Sequence, residues 1–381
     1  MMNPFTLKRL QAVTLSSFMM LAAAGCGGET TPDQQPVIDE PVAEEAWDAE
    51  QEATLGSTAL GAYLFTKETF NGNGRTCATC HTLTTGTLSP AQAQAIYAKN
   101  KKDPLFRAID SNDGTGASYT QLLNNATVTV DIPLAPNVRL ASNPSARTVK
   151  LRRGIPSTFD SPRFDPLIML DGREPTLQSQ ALHAIQGHAQ GGRAPTQAEL
   201  NAIVDFEKAL FSSKQMLNYA ATGTPPPLPA GTTESQKRGR AFFAETGACG
   251  ACHSGALLNT MTQFNPLGLP AGSRFSTAGV SEFNFAQNPV QTYIVTNPDG
   301  SETPVVSPDP GLMLLTGVPQ TANLFRATSL RNLRNTAPYF HDNSAKNLDQ
   351  VMVQYKGVFE FLGIPVTQQD LTDIRDYLQL L

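Results

Sequence analysis

The apolar positions of the chain repeat. Segments 196–206 (TQAELNAIVDF) and 367–377 (TQQDLTDIRDY) lie 171 positions apart and share one pattern. A Thr opens each, an acid follows three residues later, and Leu and Ile recur at helical spacing. That pattern predicts a capped amphipathic helix. Each half also has an earlier helix-like run, over 58–70 and 234–244. Residues 176–190 fit a further helix, in which Gln180, Ala184 and His188 share one face at about 100° per residue. Between these runs the pattern changes. The β-branched pieces 126–133 (ATVTVDIP) and 148–151 predict short hairpins. Residues 260–315 are rich in Asn, Pro and Gly and predict long loops. The run Thr222-Gly223-Thr224-Pro225-Pro226-Pro227-Leu228-Pro229 reads as a stiff linker between the halves.

Length agrees with a two-part body, since 381 residues exceed one ordinary core. The net charge of −5 argues against a broad nucleic-acid surface. Its distribution is uneven: residues 29–52 hold nine acids and no Lys or Arg, so they read as a solvated tether. Before them, Lys8 and Arg9 precede an apolar run over 10–24, the layout of an export signal and too short to span a bilayer comfortably. Leu21-Ala22-Ala23-Ala24-Gly25-Cys26 resembles a bacterial lipobox, with Ala23 where Leu is usual. Cys26 is therefore expected to be the lipidated first residue; ordinary cleavage near a free Cys26 is the alternative. The expected location is the periplasmic side, anchored by lipid to the outer membrane. No phosphate-binding Gly loop and no Ser-His-Asp spacing stands out.

The remaining four cysteines form Cys77-Ala78-Thr79-Cys80-His81 and Cys249-Gly250-Ala251-Cys252-His253. Two thiols at this spacing can form thioethers with heme vinyl groups, and the adjacent His falls under the iron. A zinc ribbon would place its Cys pairs closer together, and a thioredoxin-like site would need one pair. Two covalent hemes c follow. The motifs are offset by 172 residues, close to the helix repeat. Helix, heme motif, irregular stretch and closing helix together resemble a class I cytochrome c domain, present twice. The expected fold is mainly α: two such domains in tandem, with long irregular loops and a few short β-hairpins. Boundaries are expected at 1–25 (signal), 26–52 (tether), 53–221 (N-terminal heme domain), 222–232 (linker) and 233–381 (C-terminal heme domain). At the repeat offset Tyr355 falls over Ala184. Tyrosine can ligate iron and alanine cannot, so the second heme is expected to be closed and the first open.

The chain resembles the bacterial diheme cytochrome c peroxidases and their relative MauG. The family pattern Trp-Asp-Gly-Arg-Ala, followed by Leu-x-x-Gln-Ala, appears as Leu170-Asp171-Gly172-Arg173-Glu174 and Leu177-Gln178-Ser179-Gln180-Ala181. The second-half pattern appears as Leu330-Arg331-Asn332 and Thr336-Ala337-Pro338-Tyr339-Phe340-His341-Asp342-Asn343. The resemblance implies peroxide reduction at the N-terminal heme, with electrons relayed through the C-terminal heme. It implies His81 and His253 as proximal ligands, and Gln180 in the distal pocket. Thr336 and Pro338 fall on positions that bind calcium through carbonyls, with Gly154 or Asp160 near the third. Its implied partners are hydrogen peroxide and a small redox donor, a cytochrome c or cupredoxin. The family architecture suggests a monomer or homodimer.

Departures from the family matter as well. The position of the peroxidase Met ligand is Tyr355, as in MauG; the inter-heme Trp is Leu170; the distal acid is Gln190. No His lies between His81 and His183, and Tyr97 stands near the position of the closing His. His183 and His188 are candidates for the missing acid–base role, His188 being otherwise a hydrogen-bonded core or surface residue. His183 becomes a sixth ligand if the register slips by one. Met352 and Met313 are alternative ligands at the second heme, and His341 reads as structural. Two other functions stay open: a non-catalytic electron carrier, or a MauG-like oxidant of a partner protein.

Overall fold

A computed structural model describes residues 55–283 and 287–381. The signal, Cys26 and the acidic tether lie outside the described residues. In the first half the elements are α1 (Leu55–Thr66), α2 (Pro90–Lys99), α3 (Thr120–Asn125), β1 (Thr127–Pro133), β2 (Val138–Leu140), β3 (Thr148–Gly154), α4 (Leu177–Gly187), α5 (Gln197–Glu207) and α6 (Lys214–Thr222). The second half has α7 (Glu234–Ala241), β4 (Phe275–Ser276), β5 (Gln291–Thr296), β6 (Glu302–Ser307), β7 (Phe325–Arg326), α8 (Leu348–Leu362) and α9 (Gln368–Leu378). The protein is thus a mixture of helices and small sheets. Among the described residues no helix is long and apolar enough to cross a membrane.

The two halves build the same helix crossing. α1 packs on α5, and α7 packs on α9. A glycine makes each close approach possible. A Cβ on Gly61 would meet Ala202 O at 2.0 Å, and a Cβ on Gly239 would meet Asp373 O at 2.0 Å. Ala202 and Asp373 are themselves 171 positions apart. An aromatic pair seals each crossing: Phe65 with Phe206 and Phe243 with Tyr377, both at 5.2 Å between ring centroids. The expected capping boxes are present, with Thr196 paired to Glu199 and Thr367 to Asp370.

The sheets tie the halves together. β1 pairs antiparallel with β3, from Thr127 opposite Gly154 to Pro133 opposite Thr148. They are not a tight hairpin, because β2 leaves between them to join β5 and β6 in the order β2-β5-β6. This corrects the expectation of loops throughout 260–315. β5 and β6 form a hairpin across the turn Asn297-Pro298-Asp299-Gly300, with Gly300 at φ +81°. Tyr293 and Val295 point inward onto Val130, Ile132 and Leu151. The alternation is only two inward residues long, and the flanking Asn and Pro hide it.

The Pro-rich linker is also less free than its composition suggests. The Pro226 and Pro227 carbonyls accept from Arg331, the Pro229 carbonyl accepts from the Tyr377 hydroxyl, and Leu228 packs into the second core. Prolines lack N–H donors, so these carbonyls are open to such partners.

Candidate active site

Both CxxCH segments fold into the same tight turn. Cys80 N and His81 N donate to Cys77 O, at 3.1 and 2.9 Å; Cys252 N and His253 N donate to Cys249 O, at 3.1 and 2.8 Å. The His rings are held alike. His81 Nδ1 lies 2.9 Å from Gly86 O, and His253 Nδ1 lies 3.0 Å from Leu258 O. A carbonyl only accepts, so each Nδ1 carries the proton and each Nε2 keeps a free lone pair. The four cysteines are free thiols. Burial pushes the thiols of Cys77 and Cys249 up to about 12 and that of Cys80 to about 11.

At the second motif α8 presents Tyr355. Its hydroxyl faces His253 Nε2 at 3.3 Å. Phe340 and Phe359 flank the phenol at 6.4 and 6.0 Å, and burial raises its pKa. Only a strong local cation would ionise it. Tyr355, His253, Cys249, Cys252 and Met352 share a cavity of about 270 Å³. Met352 is buried in the adjoining core. Met313 packs under the sheet with Val130 and Leu151 instead, so it is no ligand candidate. His341 is stacked on Phe325 at 3.7 Å, with its ring near Ser281.

The first motif opens onto a cavity of about 850 Å³. Gln180, Ala184 and His188 lie together on its wall, as the helical spacing of α4 requires. The helix is shorter than expected. It stops at Gly187, His188 caps it, and Gln190 takes φ +51°. That turn directs Gln190 outward, where its Oε1 accepts from Asn73 Nδ2 at 3.0 Å. His188 is half-buried, and desolvation lowers its pKa, so the ring is neutral near pH 7. Its carbonyl accepts from Asn73 Nδ2 and Arg75. His183 is turned to Glu174, whose Oε1 lies 2.8 Å from His183 Nδ1. Tyr97 is a packing residue, edge-on to Phe106 at 4.8 Å.

Two carboxyls on this wall escaped the sequence reading. Glu174 stands where the family pattern has Ala. Glu207, at the end of α5, corresponds to Leu378 at the repeat offset. Each line the cavity of its own half. The repeat itself was the available signal: a carboxyl at a helical core position whose counterpart is Leu. Burial alone pushes Glu207 up to about 8.

The sign of its effect on stability follows. The folded protein keeps this proton up to about pH 8, whereas the unfolded chain releases it near the ordinary 4.5. Stability therefore falls as pH rises through that window, by up to about 1.4 kcal/mol per pH unit. Glu207→Leu is expected to raise the melting temperature more at pH 9 than at pH 5. An equal shift at both values, in thermal unfolding followed by circular dichroism, would contradict this.

Leu170 and Arg326 line both cavities and so form part of the partition between them. Behind them Arg153 donates to both Asp309 oxygens, at 2.8 and 2.9 Å, and to Asp171 at 2.6 Å. Asp165 holds Arg274 and Arg326 in the same way.

No family model matches the chain. The chain is 25% identical over 349 residues to a cytochrome-c peroxidase of Denitromonas iodatirespirans, covering 90% of this chain and 82% of that protein. It is 26% identical over 229 residues to the cytochrome c peroxidase Ccp of Escherichia coli, covering 59% of this chain and 40% of that protein. Along most of its length the chain is similar to proteins named as cytochrome c peroxidases. These relatives are named cytochrome c peroxidases, and the chain is peroxidase-like. A solved MauG-like protein associated with microbial copper homeostasis aligns over 94% of each chain, at 19% identity and a TM-score of 0.49.

The residues of this chain fit heme c at both motifs. Each has free thiols in the turn, a His fixed with Nε2 available, and a cavity on that side. Calcium has weaker support. Thr336 and Pro338 line the second cavity, but both Asp160 oxygens accept from Ser212. Among the described residues no group of three His, Cys, Asp or Glu is placed to hold a metal ion. Calcium therefore enters no step below.

Proposed function

We propose that this chain is a periplasmic diheme c-type cytochrome that reduces hydrogen peroxide at its N-terminal heme site, with electrons relayed through the C-terminal site. One contrast carries the reading: Tyr355 faces His253 at 3.3 Å, whereas the repeat-equivalent position on the wall of the first cavity is Ala184, which cannot ligate iron. Heme c supplies the redox chemistry when bound through Cys77, Cys80 and His81, and through Cys249, Cys252 and His253.

The protein's own groups do the rest. Gly86 O and Leu258 O hold the two imidazoles in one tautomer. Gln180 offers an amide to a bound peroxide, and neutral His188 can accept or return a proton. Tyr355 closes the second site to small ligands. The duplicated helix crossing at Gly61 and Gly239 supports two class I cytochrome c-like domains, 53–221 and 233–381, joined by 222–232. The export signal and Cys26 support attachment to the outer membrane by lipid, with a small redox protein as donor and a monomer or homodimer as the working form.

Peroxide added to the oxidised holoprotein is expected to shift or bleach part of the Soret band within seconds. A silent spectrum would favour an electron carrier. A MauG-like oxidation of a partner protein is the second reading. Tyr355 favours it, and Leu170, at the inter-heme position, weighs against it. Crosslinking or oxidation of a partner on peroxide addition would select it.

A further inference from the structure

The reduction of one hydrogen peroxide to two waters consumes two protons and two electrons. The donor protein supplies the electrons under the function proposed above, on which this inference rests. The protons need a route to the first cavity. Gln190, at the position of the family's acid, cannot carry one and is bonded outward to Asn73.

We propose that Glu174 and His183 form that route: His183 takes protons from solvent, and Glu174 delivers them into the cavity. The geometry supplies both ends. The His183 side chain is 60% exposed, while that of Glu174 is 7% exposed. Glu174 Oε1 meets His183 Nδ1 at 2.8 Å, and Glu174 Oε2 is buried with no hydrogen-bond partner. Both residues line the cavity that holds Gln180, Ala184 and His188.

The other charged groups on this wall are committed. Arg75 pairs with Asp110, Arg153 and Arg173 with Asp171, Arg326 with Asp165, and Glu68 with Arg193. Asp131, on the β1 edge, pairs with Lys150 outside. Glu207 is buried, and its Oε2 has no partner to pass a proton outward. His188 is half-buried and lies within the field of Asp110 and Arg75. Among the described titratable groups on this wall, Glu174 combines a free oxygen inside with a bonded partner in solvent.

The steps balance. Protonated His183 gives its Nδ1 proton to Glu174 Oε1 as Glu174 releases one from Oε2 to peroxide oxygen. The exposed His183 ring then swings into solvent, recovers a proton at the vacant Nδ1 from hydronium and returns, while rotation of the Glu174 carboxyl carries its new proton to the cavity side. Two such transfers, with two electrons from the donor, convert one peroxide to two waters.

The test uses hydrogen cyanide as a probe, because it must lose its proton to bind as the anion. Association with the oxidised holoprotein is followed at the Soret band from pH 5 to 9. A positioned acid–base group contributes about 10²–10⁴-fold. Glu174→Gln should slow association about 100-fold or more, and Glu174→Asp should recover part of that. His183→Ala, at an exposed position, should slow it less and be rescued by added imidazole. The peroxide rate should fall alongside the cyanide rate in each variant. Unchanged cyanide rates, with the wild type binding normally, would overturn this relay and leave the peroxidase reading intact. Failure of the wild type itself to bind cyanide would overturn both.

Discussion

Tyr355→Phe is expected to double the number of small-ligand sites, from one azide per oxidised protein to two. The phenol oxygen is the group facing His253 Nε2, at 3.3 Å. Phe keeps the ring against Phe340 and Phe359, so the packing of α8 changes little. Only the donor atom is lost. Met352 lies three residues earlier on the same helix and is buried in the core with Leu348 and Val351. Tyr355→Met has a different expected result. A thioether ligand favours the reduced state more than a phenolate does, so one of the two midpoint potentials should rise, on the order of 100 mV. The other potential should stay in place. Azide titration and spectroelectrochemistry read these outcomes. An unchanged azide stoichiometry in the Phe variant would remove Tyr355 from the account.

Arg153→Met is expected to be the most destabilising single change, at about 3–5 kcal/mol. The guanidinium is 3% exposed and binds two carboxylates that are each 1% exposed. Burial alone would lower its pKa, but Asp309 and Asp171 more than offset this and hold it well above the ordinary value. Removing it leaves Asp309 without its bidentate partner, while Asp171 keeps Arg173. The cost also falls on the join between halves. Arg153 sits on β3, Asp309 follows β6, and the guanidinium lies 5.7 Å from the Phe325 ring. Urea unfolding should show the loss, and Asp309→Asn in the same chain should recover part of it. A change under 1 kcal/mol would show the network to be dispensable.

Much of this arrangement was legible locally. The CxxCH turns depend on a few adjacent residues, and the closing helices carry their caps and apolar stripes in one short window each. The repeat offset brought Tyr355 and Ala184 into comparison before any coordinates. β1 and β3 were marked by β-branched runs. What escaped depends on distant partners. β2 is three residues long and pairs with a strand more than 150 positions away, so no window holds its pattern. Arg153, Asp171 and Asp309 are ordinary charged residues until the fold buries them together. Glu174 and His183 lie on either side of a helix start, and their pairing depends on how the turn before Thr176 directs the chain. Gln190 looked like a cavity residue until the positive φ at that position turned it outward.

The central claim is one open and one Tyr-closed heme in a single chain. Low-temperature EPR of the air-oxidised holoprotein tests it most directly. The account predicts one high-spin signal from the first site and one low-spin signal from the second, with only the low-spin signal altered in Tyr355→Phe. Two low-spin signals, neither altered by that substitution, would contradict it.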